Sequence, residues 1–516
     1  MSWAETLRSP SGLKLGLLAN FAGTGWGAIM QFACVPLYLK FLGVEGFGLI
    51  GFYLMLQTLF QVMDLGLSPT INRELARHSV QPTIAGKARE LVRTLEIGYW
   101  LIGIALGASL VLAAPWIATH WIKSGELSAT KISHAVMLMG ALSIFQWPIS
   151  FYQGALMGLD RQALFNSLKI AMVSLSNGGA VLVLWLVSPT ITAFLIWQSA
   201  VSAVQAVTIA ICLWQSLPAS GQPARFQIAA VRGVWRFAAG VSGITLIGLI
   251  VSQADKLIVS RMLPLKVFGY YSLAWAVSNI LLIISGAVFN VVFPNLSAHV
   301  ATGNLPALRE SYHRGAQLMA VAVLPVAILL ALFSFEILSI WTRNVETAGF
   351  DALILSILVA GSALNALLYL PYALQLSFGW TRLALIAGLT SMVIVIPVML
   401  GLTHRFGPAG TASAWLALNA VNMVVLPPII HRRLLRGDVW RYFGDVGWPL
   451  LAAAVACLIG RLAFPYTESL TVKLAFLLVL WVAAVGSALL VAPYIRGWAL
   501  TQLTSMKIRF SNTTIG

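Results

Sequence analysis

This sequence is poor in charge. Only 9% of its 516 residues are Asp, Glu, Lys or Arg, against about 25% in ordinary soluble proteins, and that scarcity excludes a soluble globular fold. Cysteine is nearly absent. Cys34, Cys212 and Cys457 lie far apart, each inside an apolar run, so no disulfide framework or CxxC pair can be read and buried small hydrophobes are the plain interpretation. The seven histidines are scattered, and nothing has the spacing of a metal site. Walker A, HExxH and GxSxG motifs are missing, as is a DxD-like pair for a nucleotide-sugar enzyme. No catalytic residue, metal ligand or cofactor motif can therefore be named.

Acidic residues are half as numerous as basic ones, 16 against 32, for a net charge of +16. In a soluble chain that excess would suggest nucleic acid. Here the cations sit in short gaps between long apolar runs, the pattern of cytoplasmic loops in a polytopic membrane protein, and anionic lipid headgroups suffice as counter-charge. What the chain has in abundance is hydrophobicity: 59% apolar residues and a mean hydropathy of +0.88. The N-terminal stretch after Glu5, Arg8 and Lys14 is too long for a signal-peptide core and lacks an A-x-A-like cleavage site, so it is expected to be a retained first membrane helix.

A bilayer-crossing helix needs about 20 apolar residues. That ruler predicts an all-α protein with fourteen spans: 12–38, 47–71, 94–119, 132–156, 164–187, 190–215, 236–262, 267–294, 312–334, 351–377, 380–402, 408–430, 446–464 and 471–494. Spans five and six are divided only by Ser188-Pro189-Thr190. With the N-terminus inside, 22 of the 32 basic residues fall on or near the cytoplasmic side, which predicts both termini inside.

At an offset of 221 residues, Phe41-Leu-Gly-Val-Glu-Gly-Phe-Gly48 aligns with Met262-Leu-Pro-Leu-Lys-Val-Phe-Gly269, and Arg405-Phe-Gly-Pro-Ala-Gly-Thr411 is a looser third echo. Repeats of this kind mark transporter folds. The expected organisation is an N-terminal six-helix lobe (1–217), a linker (218–235) holding Pro218, Gly221 and Pro223, a second six-helix lobe (236–437), and two further helices with a tail (438–516).

The stretch from Phe41 to Ile50, continuing through Asp64-Leu-Gly-Leu-Ser-Pro-Thr-Ile-Asn-Arg-Glu-Leu-Ala-Arg77, resembles the start of the polysaccharide and O-antigen flippases of the multidrug/oligosaccharidyl-lipid/polysaccharide exporter superfamily. Ala254-Asp-Lys-Leu-Ile-Val-Ser-Arg261, Phe268-Gly-Tyr-Tyr-Ser-Leu273 and Phe293-Pro-Asn-Leu-Ser297 are similar to the start of that family's second half. The resemblance implies two six-helix lobes in a V plus two C-terminal helices, opening alternately to each side. It implies a cargo of undecaprenyl-diphosphate-linked oligosaccharide turned from the cytoplasmic to the periplasmic leaflet of a bacterial inner membrane, driven by ion coupling. A polysaccharide polymerase and a chain-length regulator would be the implied partners.

Ionisable groups inside a span are functional candidates by default. Asp64, near the cytoplasmic third of span two, reads as a coupling site or gate, or as a carboxylate paired with Arg73 or standing at a helix end. Gln253, Asp255, Lys256 and Arg261 form the densest polar group in any span. They are either a cationic cavity wall for a diphosphate or acidic sugar, or an outer helix end whose cations snorkel to headgroups. Arg73, Arg77 and Arg161 could capture a diphosphate at the cytoplasmic face, or could serve topology alone. Asn290 is a further cavity candidate, and Pro294 and Pro371 are candidate hinges beside Asn295, Tyr369, Tyr372 and Gln375. Most of the 18 tryptophans cluster near span ends as an interfacial belt; Trp275 and Trp415 lie within spans and are candidates for glycan contact.

Three rivals remain at this stage. A small-molecule exporter of the same superfamily would need acidic cavity walls for cationic drugs. A membrane-embedded glycosyltransferase would carry a larger extramembrane loop than the gaps of roughly 20 residues seen here. A channel would show a pore loop or a charged ring.

Overall fold

The computed structural model describes residues 10–61, 64, 66–78, 85–218, 224, 226–227, 248–465, 467 and 469–497. In chain order the helices are α1 (Pro10–Gln61), α2 (Leu67–His78), α3 (Ala85–Trp116), α4 (Ala129–Gly158), α5 (Gln162–Leu186), α6 (Ile191–Ser216), α7 (248–262), α8 (Leu265–Ala301), α9 (Leu305–Leu332), α10 (Ser334–Thr342), α11 (Val345–Ser377), α12 (Arg382–Leu434), α13 (Val439–Leu462) and α14 (Leu470–Leu490). A π-helical turn, Ile117–Trp121, extends α3.

The chain is an all-α polytopic membrane protein: among the described residues, eleven helices are long and apolar enough to cross a bilayer. Two of the eleven are pairs of helices joined at a kink. In α1 the break is Gly43, at φ 70° and ψ 179°; in α12 it is Gly407, at φ 60° and ψ −142°. No side chain tolerates such angles easily, which is why glycine stands at both places. Both lie in the repeated segments, Phe41-Leu-Gly43 and Arg405-Phe-Gly407. With the kinks counted, and with α7 as the described part of the seventh expected span, each of the fourteen expected spans has its helix. The break at Ser188-Pro189-Thr190 is real, and the Thr190 hydroxyl accepts from the Ala193 amide to cap α6.

One expectation needs correction. The second span does not run unbroken to residue 71: Gly66 stands at φ 72° and a separate amphipathic helix, α2, begins at Leu67. Pro294 and Pro371, the candidate hinges, lie inside α8 and α11, and non-helical backbone angles within long helices occur at Gly43 and Gly407. The expected linker falls mostly outside the described residues, as do the first part of the seventh span and the C-terminal tail. Where it is described, the segment is tied to α3: Arg89 donates to the Pro218 carbonyl, and Gln227 bonds Thr94 and Glu90.

The chain forms two compact units, residues 1–269 and 270–516. In the first, α3 and α4 meet where Gly107 and Gly140 leave room for each other's carbonyls; a Cβ on either would stand 2.6 and 2.7 Å from the facing oxygen. Gly154 and Gly158 of α4 admit the backbone of Ser68 and Asn72 in the same way. Small residues take these positions because helices in lipid gain from close contact rather than from hydrophobic burial. In the second unit α13 and α14 pack on α9 through Ala453, Cys457, Ala484, Ala488 and Val321.

The two repeat copies touch. A Cβ on Gly48 would lie 2.8 Å from the Leu265 carbonyl, and one on Gly269 would lie 2.3 Å from the Val44 carbonyl. Val44 and Leu265, like Gly48 and Gly269, are 221 residues apart, so the contact is reciprocal between equivalent positions. Gly269→Val is expected to lower the melting temperature in detergent, at a cost of about 1–3 kcal/mol from overpacking against backbone. Gly286→Val, where nothing lies within 4 Å, should change it far less.

Candidate functional site

The polar group of span seven divides in two. Gln253, Asp255, Lys256 and Ser260 are buried, with Lys256 only 7% exposed, and the Lys256 Nζ donates to Gln253 Oε1 at 3.0 Å. A buried ammonium is not one that snorkels to headgroups. Arg261, five residues on and exposed, turns to another face. Its guanidinium donates to the His120 carbonyl and lies over the Trp121 ring at 5.8 Å, while Trp121 Nε1 donates to Ser260 Oγ at 3.2 Å.

Asp64 stands in the gap between α1 and α2. Its Oδ2 accepts from the Ser68 amide at 3.2 Å, as a carboxylate at a helix N-terminus does, and its Oδ1 accepts from the Tyr99 hydroxyl. These two bonds hold Asp64 between α2 and α3. Arg73 and Arg77 on α2 and Arg161 after α4 are all exposed, with Arg77 3.6 Å from Glu74. The close approach of Gly158 to Asn72 and Leu75 brings the α4–α5 turn, with Arg161, alongside α2.

Asn290 is exposed on α8. Beside it, Phe289 stacks on Phe293 (5.3 Å between centroids) and on Tyr372 (6.3 Å), and meets Tyr369 edge-on at 5.9 Å. Trp415 packs on Gly361 and its carbonyl holds the Asn419 amide at 2.9 Å, so it serves helix packing.

Sequence reasoning missed several buried groups. Glu45, within the repeat, accepts from Ser124 Oγ at 2.6 Å and from the amides of Gly125, Glu126 and Leu127, fixing the α3–α4 loop. Glu96 accepts from the Tyr152 hydroxyl, Trp214 Nε1 and Arg93. His313, wholly buried, holds Asp445 through Nδ1 at 2.5 Å; Gln317 donates to the same carboxylate at 2.7 Å and accepts from the Tyr494 amide at 2.9 Å. Asp438, 3.7 Å from His313 Nε2, also pairs with Arg309 at 3.2 Å. Each was visible as a charge inside or at the edge of an apolar run; what hid them was that their partners come from other helices. Among the described residues no three His, Cys, Asp or Glu side chains are grouped to hold a metal.

Taken together, long apolar helices in two units, a repeated hairpin and a buried cation within a span define a polytopic membrane transporter fold. Residues 14–299, more than half the chain, match the polysaccharide biosynthesis protein family, and the chain belongs to that family. A curated relative from Shigella flexneri, described as a "Putative O-antigen transporter", is 22% identical over 375 residues, spanning 72% of this chain and 87% of the relative. Among solved structures, an inward-facing multidrug resistance MATE family transporter of the MOP superfamily superposes with a TM-score of 0.66 at 14% identity, over 80% of this chain and 96% of its own. The lipid II flippase MurJ, in an inward closed conformation, gives 0.66 at 14% identity over 91% and 97%. These two likenesses establish the fold.

The His313 cluster ties α9 to α13 and to the residues after α14. Removing the imidazole as His313→Ala leaves Asp445 and Asp438 buried with fewer partners, and a loss of about 3–5 kcal/mol is expected. The readout is the thermal midpoint of the purified protein in detergent, against an exposed control such as Lys131→Ala.

Proposed function

We propose that this protein moves undecaprenyl-diphosphate-linked oligosaccharide from the cytoplasmic to the periplasmic leaflet of a bacterial inner membrane, supplying surface polysaccharide assembly. The observation that carries this reading is a buried ammonium, Lys256, within a span of a chain that belongs to the polysaccharide biosynthesis protein family. A diphosphate leaving water needs a cation to meet it. Both termini lie in the cytoplasm on this reading, and Arg73, Arg77 and Arg161 give the diphosphate its first contact there, with the polyprenyl chain remaining in the bilayer. The six-helix lobes 1–217 and 236–437 then rock about the cargo, with Asp64 as gate or coupling group. A ligand drives such motion only through different affinities for the two states. A polymerase and a chain-length regulator would consume the product outside.

The multidrug exporter reading has the same support from the fold, since the MATE and MurJ likenesses score alike. The family match and the relative from Shigella flexneri favour a saccharide cargo.

Deleting the gene is expected to make diphosphate-linked oligosaccharide accumulate in extracted lipids, measured by mass spectrometry, while surface polysaccharide disappears. Normal surface glycan with heightened sensitivity to cationic drugs would sink the proposal in favour of an exporter. In the complemented strain, Lys256→Gln should cut surface glycan at least about tenfold, the loss of roughly 1.4 kcal/mol of cargo binding, with the protein still folded. Arg261→Gln, tied to the outer loop, should cost less, and full export by the double variant would rule out a cationic wall.

A further inference from the structure

Between α11 and α12 lies a cleft of about 240 Å³. One face of α11 supplies Asn365, Tyr369, Tyr372 and Gln375, which recur at helical spacing, and α12 supplies Asn422 opposite, over a floor that includes Ala384 and Ala387. Three amides and two phenols within membrane-crossing helices are costly unless something bonds to them. Two of the amides are fixed from behind. Asn365 donates to Asn419 Oδ1 at 2.8 Å, and Gln375 donates to the Trp380 carbonyl at 2.6 Å, so each has its donor engaged and keeps its side-chain oxygen as an acceptor. Asn422 lines the cleft and makes no side-chain hydrogen bond among the described residues.

The lining excludes most ligands. No Asp, Glu, Lys, Arg or His is part of it, so a phosphate finds no cation and a cationic drug finds no carboxylate. An acyl or prenyl chain would offer no hydrogen bond to Asn422 or to the two phenol hydroxyls. What the set matches is a neutral molecule that donates and accepts hydrogen bonds at its edges and presents apolar C–H faces to aromatic rings. The cleft is smaller than the roughly 300–1,000 Å³ of sites for drug-sized ligands, which limits it to about one ring. The aromatic platform continues outward, because Phe289 of α8 lies over Tyr372 with ring planes 23° apart.

We infer that this cleft is a monosaccharide subsite, holding one uncharged pyranose ring of the cargo. The inference rests on the flippase reading above and adds to it a place for the sugar. Tyr372 and Asn422 are the residues to change: Tyr372 is 38% exposed, and neither side chain holds another helix by a hydrogen bond.

The test is binding by native mass spectrometry to the whole purified protein. The two probes are the lipid-linked oligosaccharide extracted from the deletion strain and bare undecaprenyl diphosphate. Wild type is expected to bind the glycosylated lipid more tightly. Tyr372→Leu and Asn422→Leu should each weaken that binding about tenfold while leaving the bare lipid unchanged, and Tyr372→Phe should retain most of the preference. Variants that weaken both lipids equally, or neither, would overturn the subsite while leaving the flippase reading intact. Binding of neither lipid by wild type would overturn both.

Discussion

Hydrocarbon gives nothing to a hydrogen-bonding group, and most of this structure answers to that fact. A backbone in lipid must satisfy its own amides and carbonyls, so the chain is helical wherever it crosses. The same demand reaches the side chains. Glu45 receives four donors from a single loop, Glu96 receives three from three directions, and Asp64 is closed by a phenol and a helix N-terminus. These carboxylates work as fasteners: each fixes a loop or a neighbouring helix because leaving it unbonded would cost more than any packing around it returns.

Close packing supplies the second half of the architecture. With lipid as apolar as the helix surface, association depends on how nearly backbones approach, and this chain places glycines at several of the closest approaches. The reciprocal contact of Gly48 and Gly269 with Leu265 and Val44 gives the internal repeat a physical meaning. Equivalent residues of the two copies occupy equivalent roles in one interface, so the repeat persists where side chains would not fit. Elsewhere the copies diverge freely. Glu45 fastens a loop, while Lys266, at the equivalent position, faces Glu126 at 3.9 Å across an exposed pair.

The spans were legible because hydropathy measures the very constraint that makes them helices. The repeat and its loops were legible because glycine spacing survives in sequence. Two kinds of feature were not. Helix ends depend on local backbone geometry: Asp64 reads as mid-span by hydropathy, yet Gly66, at φ 72°, breaks the chain there and lets α2 start afresh. Partnerships between helices were the larger loss. Lys256 with Gln253 is an i, i+3 pair and could be guessed; His313 with Asp445, 132 residues apart, could not.

The distribution of embedded charge also bears on what the proposed cargo can be. A cationic drug needs a carboxylate turned toward it, and among the described residues the embedded carboxylates are engaged or wholly buried. Glu45, Asp64, Glu96 and Asp445 bond inward to named donors, Glu336 pairs with Arg461, Asp255 is 3% exposed and engaged, and Asp351 on α11 is sealed at 0% exposure. The unsealed groups are of the other sign or of none: exposed arginines on α2 and after α4, and the amides and phenols of the α11–α12 cleft. A lipid-diphosphate-sugar has a part for each of these surroundings, an anion for the cations and a neutral ring for the amides. A compact cation has a part for neither, so on electrostatic grounds the anionic amphiphile is the better match to this interior.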